Sequence, residues 1–284
     1  MIAAGIGLAL AAAALHGTWN VLVKTTGDPL STFRRATAMS AVVATAVLLP
    51  EWLLFGRPAV PPQAIGLCVV SSTLETAYLL LLSMAYRRGE LSAVYPIARG
   101  SAPLLAVGAG LFLLGERLSP IQLAGVFMLL VGILAVTLSQ AGGRATIPAL
   151  LTGVAIASYT SIDRLGVRLT APWFYGWLLF TLMAIELPVA MWVGARLRLL
   201  GVPASSPPPA WTQAALIGGF MWAGYFLVLW ALSLAPLAVV APVRETAVVA
   251  VAVWGVWRLG ERGRASVKVS GAVATLAGVA LLAL

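Results

Sequence analysis

The stretch AVYPIARGSAPLLAVGAGLFLL begins at Ala93 and holds one permanent charge, Arg99, inside a run apolar enough to cross a membrane. A second run, AVVAPVRETAVVAVAVWGVW from Ala238, carries Arg244 and Glu245 at a similar depth. A guanidinium can grip a carboxylate through two parallel hydrogen bonds, and a carboxylate can receive an ammonium. Arg99 and Glu245 therefore have the chemistry to hold a zwitterion such as an amino acid, or to hold each other. Each charge inside a bilayer costs at least ~2.5–3.5 kcal/mol on insertion scales, so such groups line cavities or pair. Arg244, one residue before Glu245, is expected to point about 100° away on a regular helix and to pair elsewhere. Pro96 and Pro242 precede the charges by a few residues. Each removes a backbone donor and frees a carbonyl one turn earlier, which predicts kinks beside the site. Pro103 predicts a second break in the same span.

Polar and aromatic residues gather at comparable depths. His16, Trp19 and Asn20 are spaced i, i+3, i+4 and share one helix face. Glu75 and Tyr78 lie three apart, Tyr159 and Asp163 four apart, Trp222 and Tyr225 three apart, and Tyr95 immediately precedes Pro96. Each aromatic alone is explained by packing. Together they describe a substrate cavity with aromatic walls and few charges, suited to an aromatic or aliphatic amino acid or to an amphipathic drug. Glu75, Asp163, Glu245 and the single histidine, His16, are the groups through which a proton gradient would act. One histidine, no HExxH and no GxSxG leave little from which to build a metal site or an intramembrane enzyme. No cofactor, metal or catalytic residue is expected.

These residues need elements to hold them, and the composition names the solvent. Of 284 residues, 61% are hydrophobic and 10% charged. A soluble chain of this length exposes far more charge. With about 20 residues per span and short loops, there is room for about ten helices and no soluble domain. The net charge of +9 then reads as topology signals flanking spans, with the lipid bilayer as partner and no nucleic acid. Charged or Pro/Gly-rich breaks place apolar spans at 2–23, 32–55, 63–86, 91–114, 119–139, 147–165, 172–195, 211–234, 237–257 and 266–284. The runs lack a barrel's alternation, so the fold is all-α. The opening MIAAGIGLALAAAALHG lacks a basic n-region and reads as the first span, not a cleaved signal. Cys68 reads as a small buried packing residue. The segment RLRLLGVPASSPPPAW reads as an exposed loop, with Trp211 anchoring the next span.

Lysine and arginine crowd the loops after odd-numbered spans, which places those loops in the cytoplasm and both termini outside. Half a chain later the sequence repeats itself. YPIARGSAPLL followed by LLGERLSPIQLAGVFMLLVG recurs as APVRETAVVAV followed by RLGERGRASVKVSGAVATLAG. Pro96 answers Pro242, Gly115-Glu116-Arg117 answers Gly260-Glu261-Arg262, and Gly125 with Gly132 answers Gly271 with Gly278. A five-helix unit crosses the membrane an odd number of times, so its copy lies upside down. The expected organisation is 1–142 and 143–284 as two inverted five-helix repeats, an arrangement of secondary transporters with a midplane site between repeats. Glu116 and Glu261, each beside an arginine, read as local interfacial pairs. The glycine faces of spans five and ten read as helix-packing or dimer surfaces, leaving monomer and dimer both open.

With the LGE at the ends of spans four and nine, the spaced glycines of IQLAGVFMLLVGILAV and the opening LHGTWNVLVK, the whole chain resembles the EamA-type drug/metabolite transporter superfamily. The resemblance implies a multi-pass carrier in the cell inner membrane. The superfamily exports amino acids, drugs, nucleotide sugars and other metabolites. Bacterial members of this size include amino acid exporters, some preferring aromatic ones. Many descriptions of the family put both termini in the cytoplasm, opposite to the charge distribution here. The favoured expectation is amino acid export by alternating access. The alternative is a multidrug or lipophilic-cation exporter of the same fold, in which Glu75 would dominate.

Overall fold

The structure is a computed structural model and describes residues 1–24, 26–56, 58–88, 91–138, 146–197, 208–247 and 265–282. It holds α1 (Ile2–Lys24), α2 (Pro29–Phe55), α3 (Pro62–Arg88), α4 (Leu91–Gly108), α5 (Pro120–Leu138), α6 (Thr146–Gly166), α7 (Pro172–Arg196), α8 (Trp211–Leu234), α9 (Leu237–Arg244) and α10 (Ala265–Leu282), with no strand among the described residues. Five of them, α1, α2, α3, α7 and α8, are long and apolar enough to cross a membrane. The chain is a multi-pass membrane protein. The rest of the ninth expected span, from 248, and most of the segment expected as a proline-rich loop lie outside the described residues, as do Gly260 to Arg262.

Prolines shape the helices less than expected. Pro103 does not break α4, which runs on to Gly108 and only then loosens into a π-helical turn over Ala109–Leu113. Pro50 and Pro188 likewise sit inside α2 and α7. Neighbouring helices and local adjustments of the backbone let membrane helices absorb such interruptions. Several starts carry recognisable signals. Pro29, Pro62, Pro120 and Pro172 open their helices, where a missing N–H costs nothing. Asp28 caps α2 by accepting from the Ser31 amide at 3.0 Å. Arg34 and Arg35 lie within α2. Arg35 stacks on Trp211 at 4.7 Å and donates to the Pro209 carbonyl.

The helices associate in a regular pattern: α3 packs on α6 and α1 on α8, α4 on α6 and α1 on α9, α2 on α8 and α3 on α7, with α4 against α9 and α5 against α10. The last contact is backbone on backbone. A Cβ added at Gly125 would lie 2.9 Å from the Gly278 carbonyl oxygen, and one at Gly132 would lie 2.5 Å from that of Gly271. The helices therefore run antiparallel, and their glycine faces cover each other within one chain.

Candidate functional site

At the centre of the bundle six charged or imidazole side chains are almost fully buried: His16, Glu75, Arg99, Asp163, Arg244 and Glu245. Water is excluded from them, so each needs a partner. Arg99, on α4, donates from Nη1 to Glu245 Oε1 at 3.2 Å and from Nη2 to the Tyr78 hydroxyl at 3.1 Å. Its guanidinium also lies 5.9 Å from the Tyr78 ring centroid.

Arg244 departs from expectation. It is 2% exposed and grips the same Glu245 oxygen, from Nε at 3.0 Å and Nη2 at 2.9 Å. The regular-helix angle does not hold because α9 ends at this point. Glu245 has φ −83° and ψ 2°, and its amide bonds three residues back to Pro242 at 3.1 Å. One carboxylate oxygen thus serves two guanidiniums, and Arg244 Nη1 is left buried without a partner.

The carboxylate of Asp163, on α6, is satisfied differently. Oδ1 accepts from Ser71 of α3 and from Tyr175 of α7, the latter at 2.9 Å, and Oδ2 accepts from Tyr225 of α8. Three hydroxyls from three helices thus meet one ionised group. Glu75, one turn along α3 from Ser71, has no such set. The Tyr225 hydroxyl lies beside it, but its Oε1 is buried with no partner.

Aromatic rings connect these groups. His16 stands 5.7 Å from Trp19 and 6.5 Å from Tyr225, Tyr225 is 5.8 Å from Tyr159, and Tyr159 is 5.8 Å from Tyr78. Between them lies a cavity of about 20 Å³, lined by His16, Trp19, Glu75, Tyr78, Tyr159 and Tyr225 together with Leu79, Phe180, Met183 and Met221. That is room for about one water molecule, far less than an amino acid needs, so the centre is closed in this conformation.

Six of the residues singled out in the sequence therefore line one cavity, while Arg99, Glu245 and Asp163 lie close behind its wall. Asn20 is buried next to it, and its amide donates to the His16 carbonyl at 2.8 Å. Trp222 does not reach the cavity. Met221 and Tyr225, four apart, form the inward face of α8, and Trp222 turns with Phe226, 5.6 Å away, to the neighbouring face. Pro96 lies within α4. The side chains of Tyr95 and Pro96 are outside the described residues. Pro242 is the last residue but two of α9, and its carbonyl takes the Glu245 amide.

Residues 3–138 match the family model described as the EamA-like transporter family. That stretch, a little under half of the chain, is similar to the family. The description of that family names a transporter, in line with the resemblance read from the motifs. A solved structure titled "Crystal structure of protein" superimposes with a TM-score of 0.67 over 99% of this chain and 95% of its own, at 16% identity, so the likeness is one of fold. No curated protein matches the chain in sequence.

One contact of this segment differs from the sequence-based expectation. Glu116 does not pair locally with Arg117. Its Oε1 accepts from the Leu237 amide at 2.7 Å and from Arg164 Nε at 3.1 Å, and its Oε2 accepts from the Ala238 amide at 2.9 Å. The carboxylate thus caps the first turn of α9, where unpaired amides and the helix dipole favour negative charge. Gly110, in the π-helical turn, leaves space for it, since a Cβ there would lie 2.6 Å from Glu116 Oε2.

Proposed function

We propose that this protein exports neutral amino acids, aromatic ones foremost, across the cell inner membrane by alternating access. The observation that carries this reading is a pair of opposite, incompletely satisfied groups beside one aromatic cavity: Arg244 with its unpartnered Nη1, and Glu75 with its unpartnered Oε1. A buried polar atom without a partner is costly, and an amino acid brings a carboxylate for the first and an ammonium for the second. The rings of Trp19, Tyr78, Tyr159, Phe180 and Tyr225 supply the apolar contact that an aromatic side chain needs. Arg99, committed to Glu245 and Tyr78, then holds the wall, and Arg244 takes the role first expected of Arg99.

The architecture belonging to this reading is two inverted five-helix repeats, 1–142 and 143–284. The packing supports it. Exchanging each helix for the one five places on turns α3 against α6 into α8 against α1, and α2 against α8 into α7 against α3, and it returns α4 against α9 and α5 against α10 to themselves. Rocking one repeat against the other would open the closed cavity to alternate sides.

The test is counterflow of labelled tryptophan, leucine, glutamate and a lipophilic cation in proteoliposomes of the purified chain. Saturable exchange of tryptophan and leucine, with glutamate excluded, is expected. Movement of the cation alone would overturn the amino acid reading and favour the multidrug alternative.

A further inference from the structure

We infer that the groove between α3 and α7 is a membrane-facing binding site for a protonated amine with an apolar body, separate from the central cavity, and that its occupancy slows transport. The groove encloses about 470 Å³, and its walls carry Thr76, Leu80 and Met84 of α3 and Glu186, Val189 and Val193 of α7. That volume is within the ~300–1,000 Å³ of pockets that hold drug-sized molecules, whereas the central cavity of about 20 Å³ is closed. The two spaces have no lining residue in common. On α3, Thr76, Leu80 and Met84 follow one stripe, which turns about 150° away from Glu75, Tyr78 and Leu79 at ~100° per residue. Val189 and Val193 are 56% and 39% exposed, and in a multi-pass bundle the medium they meet is lipid.

Glu186 gives this apolar groove its chemistry. It stands ~21 Å along α7 at ~1.5 Å per residue, near the middle of a ~30 Å hydrocarbon core. Two hydroxyls of α3, four residues apart, hold its carboxylate. Oε1 accepts from Ser72 at 2.7 Å, with Thr73 at 3.4 Å, and Oε2 accepts from Thr76 at 3.2 Å. That is the pattern of a carboxylate, which only accepts. The hydroxyls satisfy lone pairs but bring no charge. Among the described residues no basic side chain pairs with Glu186, the buried guanidiniums being committed to Glu245 and Glu116. Arg196 of the same helix lies against Trp192, 5.3 Å from its ring centroid.

An uncompensated anion at that depth is costly, and a cation that dissolves in lipid removes the cost. A metal ion would find one carboxylate there among apolar walls. An alkylammonium keeps its charge at neutral pH, as lysine does. Its N–H groups can meet the Glu186 oxygens while its body lies along Leu80, Met84, Val189 and Val193. The position of the groove gives the consequence. α3 comes from the first half of the chain and α7 from the second, so a body seated against both resists rocking of one half on the other. Binding stands without the amino acid reading above; the slowing of transport rests on it.

The test is equilibrium binding of tritiated 3,3-diphenylpropylamine to the full chain in lipid vesicles at neutral pH, counted above protein-free vesicles. The alcohol 3,3-diphenylpropanol serves as an uncharged competitor of the same shape. Saturable binding that the alcohol does not displace is expected. Glu186→Gln, which keeps an acceptor and removes the charge, should weaken binding about tenfold or more, as loss of a charged hydrogen bond implies. Glu75→Gln should leave that binding unchanged. Val189→Trp, which fills the groove and spares the carboxylate, should abolish it, and this variant decides the matter if Glu186→Gln fails to fold. The amine should lower the maximal rate of tryptophan counterflow without raising its KM, and Glu186→Gln should be active and insensitive. Displacement by the alcohol would mark a groove filled by acyl chains, and binding that falls as copies crowd the vesicle would mark a second chain seated there. Either result, no saturable binding, a rise in KM alone, or binding lost in Glu75→Gln but kept in Glu186→Gln and Val189→Trp would overturn the inference. Amine binding as described in a protein that exchanges no tryptophan would leave the site standing and sink the amino acid reading instead.

Discussion

Arg99 and Arg244 converge on a single oxygen, Oε1 of Glu245, at 3.2 and 2.9 Å. The triad joins α4, from the first half of the chain, to the end of α9 in the second. Its net charge is +1, so removing the acid leaves two guanidiniums facing each other in a dry interior. Breaking a buried pair by deleting one partner costs about 3–5 kcal/mol. Glu245→Gln should lower the thermal midpoint sharply in detergent, and Glu245→Gln combined with Arg99→Gln should recover part of the loss, because the triad is then back at one positive charge. No recovery in the double variant would mean that the guanidiniums do not repel through that position.

Arg244→Lys separates strut from ligand. Lysine keeps a cation for Glu245 but offers no second nitrogen in place of Nη1. Stability should stay near wild type, while the KM for tryptophan counterflow rises about tenfold or more, as loss of a charged hydrogen bond of ~1.5–3 kcal/mol implies. Phenethylamine, which has no carboxylate, should bind as before. Equal weakening of both ligands would remove Arg244 from carboxylate recognition.

The seam between α5 and α10 predicts opposite outcomes for one chemical change. Gly132→Ala would bring a Cβ within 2.5 Å of the Gly271 carbonyl oxygen, where backbone cannot give way, and should cost about 1–3 kcal/mol as overpacking does. Gly66→Ala in α3 meets nothing within 4 Å and should be neutral or stabilising by up to ~1 kcal/mol through helix propensity. Thermal unfolding of the two variants side by side checks this.

Glu116 holds two α9 amides and Arg164 with one carboxylate. Glu116→Ala should free the start of α9 and weaken closure on that face. A cysteine placed at Ala238, in a background of Cys68→Ala, should be alkylated several-fold faster once Glu116 is removed. Unchanged reactivity would show that α9 keeps its position without the cap.

How much of this was legible beforehand depended on range. The helices stood out because apolar runs end at prolines, glycines and charges, and the structure places Pro29, Pro62, Pro120 and Pro172 at helix starts. The cavity residues stood out where one helix carried two of them a turn apart, as with Glu75 and Tyr78. The same one-turn rule would have added Ser71, four residues before Glu75, and Met221, four before Tyr225. Trp222 was misplaced because an i, i+3 pairing was read where the true face is i, i+4. Arg244 was misread because the regular-helix angle fails at a helix end. Pro103 was misread because the rule for a helix in water overstates the damage in a packed membrane bundle. Tyr175 at Asp163, and Glu116 on α9, depend on long-range contacts that no local pattern encodes.

The closed centre has a consequence for the membrane as an electrical insulator. With space for about one water molecule between Tyr78, Tyr159 and Tyr225, the cavity among the described residues holds no file of water in this conformation. A hydrated sodium or potassium ion does not fit through that cavity, so this point of the protein does not shunt the voltage across the bilayer. The rings that would embrace a solute in one conformation are the plug that keeps the bilayer tight in this one.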